Sequence, residues 1–276
     1  MSKISVKDIS KRKKRKKITM LTCYDYAFAH ILDSTGIDII LVGDSLANVV
    51  LGLDETRNVS LKEMLNHTQA VARATKRALV VADMPAVSFR KRGARGLADG
   101  KKFIKAGAAA VKVEWFKGCE PVIKRLIKSK IPVMGHIGLT PQTAHLLGGY
   151  KVQGKSKESA LKLIKQAKIL EDLGCFSVVL ECIPYQLSCI ITKEVRIPTI
   201  GIGAGKYCDG QVLVLYDLLG LYERIRPKFV KVYKDLSSEI KKSINGFVKE
   251  VQESRFPTKN QSFSMNKDQL RQIPLK

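Results

Sequence analysis

There is no Cys-x-x-Cys pair in this chain, and its six cysteines (Cys23, Cys119, Cys175, Cys182, Cys189, Cys208) stand singly. That spacing excludes the usual zinc modules, and a chain of 276 residues needs no disulfide framework. The thiols are therefore expected to be reduced and structural, with Cys182, directly after Glu181, the one to watch. No apolar run approaches the roughly 20 residues that span a bilayer. The N-terminus has no apolar segment or cleavage site of the secretory kind. A soluble, cytoplasmic protein without a membrane partner is expected. Acidic residues are scarce: 25 Asp and Glu stand against 49 Lys and Arg, a net charge of +24. The densest basic run, "KRKKRKK" at 11–17, contains no aromatic residue to stack on bases. It reads as solvated surface, and no nucleic-acid partner is expected from it.

What is present is alternation. Eight apolar, β-rich runs recur: "ITMLTCY" (18–24), "IDIILVG" (37–43), "ALVVADM" (78–84), "AAVKVEW" (109–115), "IPVMGHI" (131–137), "FSVVLECI" (176–183), "IPTIGIG" (197–203) and "QVLVLYD" (211–217). Between most of them lie segments with apolar residues at helical spacing, such as "LKEMLNHTQAVARAT". Gly36, Gly107 and Gly174 stand where a helix should stop, just before the next strand. Near-continuous apolar strands belong to parallel sheets covered on both faces. Eight of them with intervening helices predict a single-domain (β/α)8 TIM barrel of the α/β class, with a doubly wound open sheet as the alternative. The expected divisions are a basic N-terminal extension (1–17), the barrel (18–256) and a polar C-terminal tail (257–276).

Barrel enzymes carry their reactive groups at the C-terminal ends of the strands. Asp44 follows the second run, Asp83 ends the third, Lys112 and Glu114 end the fourth on one face, His136 ends the fifth and Glu181 the sixth. One buried acid can be structural, but five runs ending this way predict a shared site. Asp44, Asp83 and Glu114 offer hard oxygen donors with no His or Cys cluster beside them, which suits Mg²⁺, or Mn²⁺, rather than zinc. Lys112 is then a cation for a substrate carboxylate, or else a structural partner of Glu114. Glu181 is free to act as general base. A divalent ion chelated by an α-keto acid eases removal of the adjacent proton, so the residue set reads as enolate chemistry. His136 is an additional candidate, with a packed, hydrogen-bonded histidine as the alternative. "GIGAGKYCDG" (201–210) does not have P-loop spacing; its glycines are read as close approach to a ligand at the rim, or as turns.

Nine blocks in order carry a resemblance over residues 18–264: "ITMLTCYDYAFA", "DIILVGDSLANVVLG", "HTQAVAR", "LVVADMP", "AAVKVE", "GHIGLTPQ", "GGYKVQGK", "VLECIP" and "IPTIGIGAG…DGQVLV". With them the chain resembles the ketopantoate hydroxymethyltransferase family. The resemblance implies a (β/α)8 barrel assembled as a homodecamer. It implies transfer of a one-carbon unit from 5,10-methylenetetrahydrofolate to 3-methyl-2-oxobutanoate, giving 2-dehydropantoate for pantothenate and coenzyme A synthesis. By the same resemblance, Asp44, Asp83 and Glu114 surround Mg²⁺, while Asp44, Ser45, Asp83 and Lys112 hold the substrate. Glu181, in "LEC", is the proton acceptor.

Departures from the family pattern are Ala47 and Asn48, a "DETRNVS" stretch (54–60) without proline, a strongly basic 90–105, and the run at 11–17, expected to fall outside the pattern. Two other readings stay open: another Mg-dependent keto-acid barrel of the phosphoenolpyruvate mutase and isocitrate lyase group, and a basic nucleic-acid-binding barrel.

Overall fold

A computed structural model describes residues 2–89, 95–224 and 226–274. Residues 90–94, which open the basic 90–105 segment, lie outside them. Eight parallel strands close in sequence order, each hydrogen-bonded to the next and the eighth to the first. They are β1 (Ile18–Thr22), β2 (Ile39–Val42), β3 (Leu79–Asp83), β4 (Ala110–Glu114), β5 (Val133–Gly138), β6 (Ser177–Glu181), β7 (Thr199–Ile202) and β8 (Gly210–Leu213). The helices are α1 (Val6–Ser10), α2 (Tyr26–Ser34), α3 (Leu46–Val49), α4 (Leu61–Ala74), α5 (Gly96–Lys105) and α6 (Glu120–Lys128). After these come α7 (Lys157–Asp172), α8 (Tyr185–Glu194), α9 (Leu215–Leu218), α10 (Leu236–Gln252) and α11 (Lys267–Arg271). The predicted (β/α)8 barrel is the observed fold, with one difference at its end. The apolar run 211–217 is strand only as far as Leu213, and Tyr216 and Asp217 belong to α9.

Helix boundaries follow local chemistry. Ser60 and Glu63 cap each other's backbone at the start of α4, and the Asp25 carboxylate accepts from Phe28 N–H at the start of α2. Gly107 and Gly174 hold φ of +103° and +95° after α5 and α7, the left-handed stop their positions predict. Gly36 is not in that region; α2 is closed instead by Thr35, whose hydroxyl donates to Leu32 O and accepts from Ile37 N–H.

Strand alternation sorts side chains into two cores. Ile40, Val42, Val80, Ala82, Val111, Val113, Val178 and Leu180 point outward into the layer beneath the helices. Met20, Ile39, Leu41, Leu79, Val81, Ala110, Met134, Val179, Ile200 and Val212 point inward and fill the barrel. Ile4 and Ile9, from the segment before β1, join that inner cluster, and Ile9 is fully buried. The basic run beside α1 is tied to the same end of the barrel. Arg12 pairs with Asp38 at 2.5 Å, Lys13 with Asp209 at 2.7 Å, and Lys17 donates to Cys208 O. Burial works against the Asp38 carboxylate, but Arg12 and Thr19 hold its pKa below the usual value. Among the described residues no helix is long and apolar enough to cross a membrane.

Ile9→Ala should therefore cost about 2–5 kcal/mol of unfolding free energy, the range for truncating a buried isoleucine. Urea denaturation reads this directly, and a loss within about 0.5 kcal/mol, the scale of a surface change, would show that α1 does not seal the barrel.

Candidate active site

The inward alternation that fills the barrel also aims the charged residues. Leu79 and Val81 face inward, so Asp83 does too; Ala110 sets Lys112 and Glu114, Met134 sets His136, and Val179 sets Glu181. Register places Asp83 beside Lys112, and Glu114 beside His136. On β2 the inward place falls to Gly43. A Cβ there would lie 2.9 Å from Ser45 Oγ and 3.3 Å from Thr22 Cγ2, so the missing side chain leaves room for the Ser45 hydroxyl. The chain then turns, and Asp44 N–H donates to Asp83 Oδ2 at 3.0 Å.

Asp44, Ser45, Asp83, Lys112, His136 and Glu181 line one cavity of about 500 Å³ at the C-terminal mouth. Glu114 does not line it. Its carboxylate lies behind the wall, 3.5 Å from His136 Nδ1, and accepts from Gln142 N–H at 3.1 Å. Lys112 pairs with Asp83 at 2.5 Å rather than forming the alternative bridge to Glu114. His136 is packed against two acids, its Nε2 lying 3.1 Å from Glu181 Oε2 without hydrogen-bond geometry. Cys182, next along, has φ of +47° and lines the same cavity; burial pushes its thiol up to about 12, so it stays protonated.

The electrostatics are those of a crowded acidic pocket with too few cations. Burial raises Asp83, with Lys112 opposing and Asp44 adding to the rise. Burial likewise pushes Glu114 up to about 7, His136 opposing. Burial and Lys112 both work against a charged His136, yet the neighbouring Glu114 and Glu181 carboxylates prevail and raise it to about 9. Burial would lower Lys112 too, but Asp83, Asp44 and Glu114 outweigh it and raise its pKa. Four carboxylates thus share one ammonium and one imidazolium. Glu114 Oε1 is buried with no hydrogen-bond partner.

Neutral residues that the sequence did not mark as site residues brace the charged ones. Gln142, in the 3₁₀ turn Pro141–Leu147, donates from Nε2 to Asp44 Oδ2 at 2.9 Å and from its backbone to Glu114. It ends the "GHIGLTPQ" block, but an uncharged loop residue gave no chemical signal. Tyr24, buried, hydrogen-bonds to Ser45 Oγ and Thr22 Oγ1, both at 2.8 Å. Asn48, one of the departures, donates to Leu53 O at 2.8 Å and fixes the loop after α3.

A closed parallel barrel with its ionisable groups gathered at the C-terminal mouth defines a (β/α)8-barrel enzyme. Solved structures agree on the fold. Phosphoenolpyruvate phosphomutase from Streptomyces platensis subsp. rosaceus superposes with a TM-score of 0.60 at 12% identity, covering 91% of this chain and 88% of that one. Phosphonopyruvate hydrolase, solved with oxalate and Mg²⁺, gives 0.60 at 10% identity over 98% and 94%. Sequence is more specific. The chain belongs to the ketopantoate hydroxymethyltransferase family, whose model matches residues 3–259. That span begins well before the 18 expected from the blocks and takes in the positions of the basic run at 11–17. A relative in Clostridium botulinum (strain Langeland / NCTC 10281 / Type F), named 3-methyl-2-oxobutanoate hydroxymethyltransferase, is 50% identical over 95% of this chain and 96% of its own length. One of the same name in Carboxydothermus hydrogenoformans is 48% identical over 99% and 100%.

Removing the cation from the buried pair should be costly, because it strands Asp83. In buffer containing a metal chelator, Lys112→Met is expected to lose about 3–5 kcal/mol of unfolding free energy by denaturant titration. A variant as stable as the parent would mean that Asp83 does not depend on Lys112.

Proposed function

We propose that this chain is a 3-methyl-2-oxobutanoate hydroxymethyltransferase. It would take the one-carbon unit from 5,10-methylenetetrahydrofolate, with water supplying the hydroxyl oxygen, and release 2-dehydropantoate for pantothenate and coenzyme A synthesis. The observation that carries this reading is the 50% identity to an enzyme of that name along nearly the whole of both chains. The phosphoenolpyruvate mutase group shares only the fold, at 10–13% identity.

Whether a divalent cation fits can be asked of the residues themselves. Among the described residues no three His, Cys, Asp or Glu side chains close on a point by themselves. Asp44 and Asp83 are nonetheless adjacent through the Asp44 N–H, both line the cavity, and a buried Glu114 oxygen behind them goes unsatisfied. Oxygen donors in negative excess with an incomplete shell suit Mg²⁺, which keeps waters and accepts substrate oxygens, with Mn²⁺ the alternative. Asp44 and Asp83 would hold it, with Glu114 steadying its waters. When bound it supplies electrostatic stabilisation for negative charge growing on the keto oxygen.

The remaining work falls to side chains of this chain. Lys112 binds the substrate carboxylate, and Ser45, fixed by Tyr24, orients it. Glu181 removes the C3 proton, and the resulting enolate carbon bonds to the folate methylene carbon as one of its C–N bonds breaks; water replaces the second nitrogen, leaving a hydroxymethyl group and releasing tetrahydrofolate. His136, held between Glu114 and Glu181, keeps the Glu181 carboxylate turned toward the cavity. As to organisation, residues 18–256 would form the catalytic barrel, residues 1–17 its seal and residues 257–276 an appendage. Ile240, Ile244, Phe247 and Val251 on α10 are exposed, which supports the homo-oligomer, a decamer, carried in this reading.

A Mg²⁺-dependent transferase assay on the purified protein tests the function, and product formation undiminished after chelation would refute the metal's part. Glu181→Gln should slow exchange of the substrate C3 proton with solvent by about 10²–10⁴-fold while Mg²⁺ binding persists; unchanged exchange rules out this base. Gln142→Ala, which frees Asp44, should raise the Mg²⁺ requirement about 10–100-fold in the same assay. An unaltered requirement would show that Gln142 does not position the ligand.

A further inference from the structure

The cavity extends well beyond the polar cluster at its floor. At about 500 Å³ it has the capacity for a drug-sized ligand, more than a small keto acid fills. Its remaining wall is largely apolar and aromatic, with Val49, Leu53, Val214, Tyr222 and Phe229 among the lining residues. Phe229 lies against the end of β7, where a Cβ on Gly203 would approach its ring at 2.8 Å.

Two carboxylates stand in this wall: Asp54, exposed and 3.9 Å from Arg224, and Asp217. Asp217, on α9, lines the cavity and is half-buried. It makes no side-chain hydrogen bond or ion pair with any described residue. Arg226 acts on it only at longer range, against the burial that pushes its pKa up to about 6, so it is ionised at neutral pH. Leu215 N–H donates to Thr22 Oγ1 at 3.0 Å and the Tyr216 ring lies 5.6 Å from that of Tyr24, which is bonded to Ser45, so α9 stands against the end of β1 on the substrate side of the mouth. A half-buried carboxylate on the cavity wall, with no bonded partner among the described residues, calls for a ligand that brings one.

The chemistry of that partner is narrow. A carboxylate presents two coplanar acceptors and is best met by two parallel N–H donors on a planar group. The 2-amino-4-oxopyrimidine edge of a pterin has such a pair, N3–H and the exocyclic amino group, on a ring whose faces suit an aromatic, apolar slot. We propose that Asp217 binds the pterin ring of the folate co-substrate by accepting from N3–H and the 2-amino group, with Phe229 packing on the ring. The assignment rests on the folate-dependent reading above and adds to it the residue that recognises the one-carbon donor. Asp217 is a binding residue here and takes no part in proton transfer.

The test separates the two substrates. Asp217→Asn keeps the shape and removes the charge and one acceptor. It is expected to raise the KM for 5,10-methylenetetrahydrofolate, and the Kd for tetrahydrofolate measured by fluorescence quenching, about tenfold or more. The KM for 3-methyl-2-oxobutanoate should stay within about twofold, which also reports an intact fold. The parent should discriminate by about tenfold between tetrahydrofolate and its 2-desamino analogue, and the variant should not. Folate binding unchanged in the variant, a parallel rise in both KM values, or discrimination that survives the substitution would each overturn the assignment, while the transferase reading stands on the activity of the parent. A parent protein that neither transfers nor binds the folate would overturn both.

Discussion

The pairing of Asp83 with Lys112, side by side on adjoining strands and 2.5 Å apart, is the contact around which the mouth is organised. Both are almost wholly buried, and removing two charges from water costs several kcal/mol for each. A lone pair would recover that cost poorly, and this one is embedded. Asp83 also accepts from the Asp44 backbone, while Lys112 feels Asp44 and Glu114 as well as its partner. Gln142 ties the ring together from above, touching Asp44 and Glu114 at once. The consequence is a rigid set of acids whose charge the protein leaves only partly neutralised. That is a poor arrangement for stability alone and a good one for receiving a cation and an anionic substrate.

Much of this was legible in the chain because both the fold and the charged ring rest on period-two alternation. Leu79, Val81 and Asp83 share a face whatever the tertiary details, so an acid at the end of an apolar strand had to point into the barrel. Gln142, Tyr24 and Asn48 were not legible in this way. They are neutral, they lie on turns and strand ends, and their roles depend on contacts between segments distant in sequence. Asp217 was hidden for another reason: it sits in an apolar run that reads as strand through to its last residue, whereas β8 stops at Leu213 and a helical turn redirects the chain. Glu114 illustrates the converse limit. Spacing put it on the same face as Lys112, yet only the packing of His136 and Gln142 shows it behind the cavity wall.

Fold and sequence carry different information here. Barrels that superpose at TM-scores near 0.6 share as little as 10% of their residues with this chain, so architecture fixes where chemistry can occur but not which chemistry. The order of conserved-looking blocks around the rim is what distinguishes the families, because it specifies which donor stands on which strand.

The barrel interior is packed with strand side chains and closed below by Ile4 and Ile9, so the cavity above it is a blind well. A cosubstrate seated near Phe229 would therefore act as a stopper, holding whatever lies on the charged floor beneath it until it leaves.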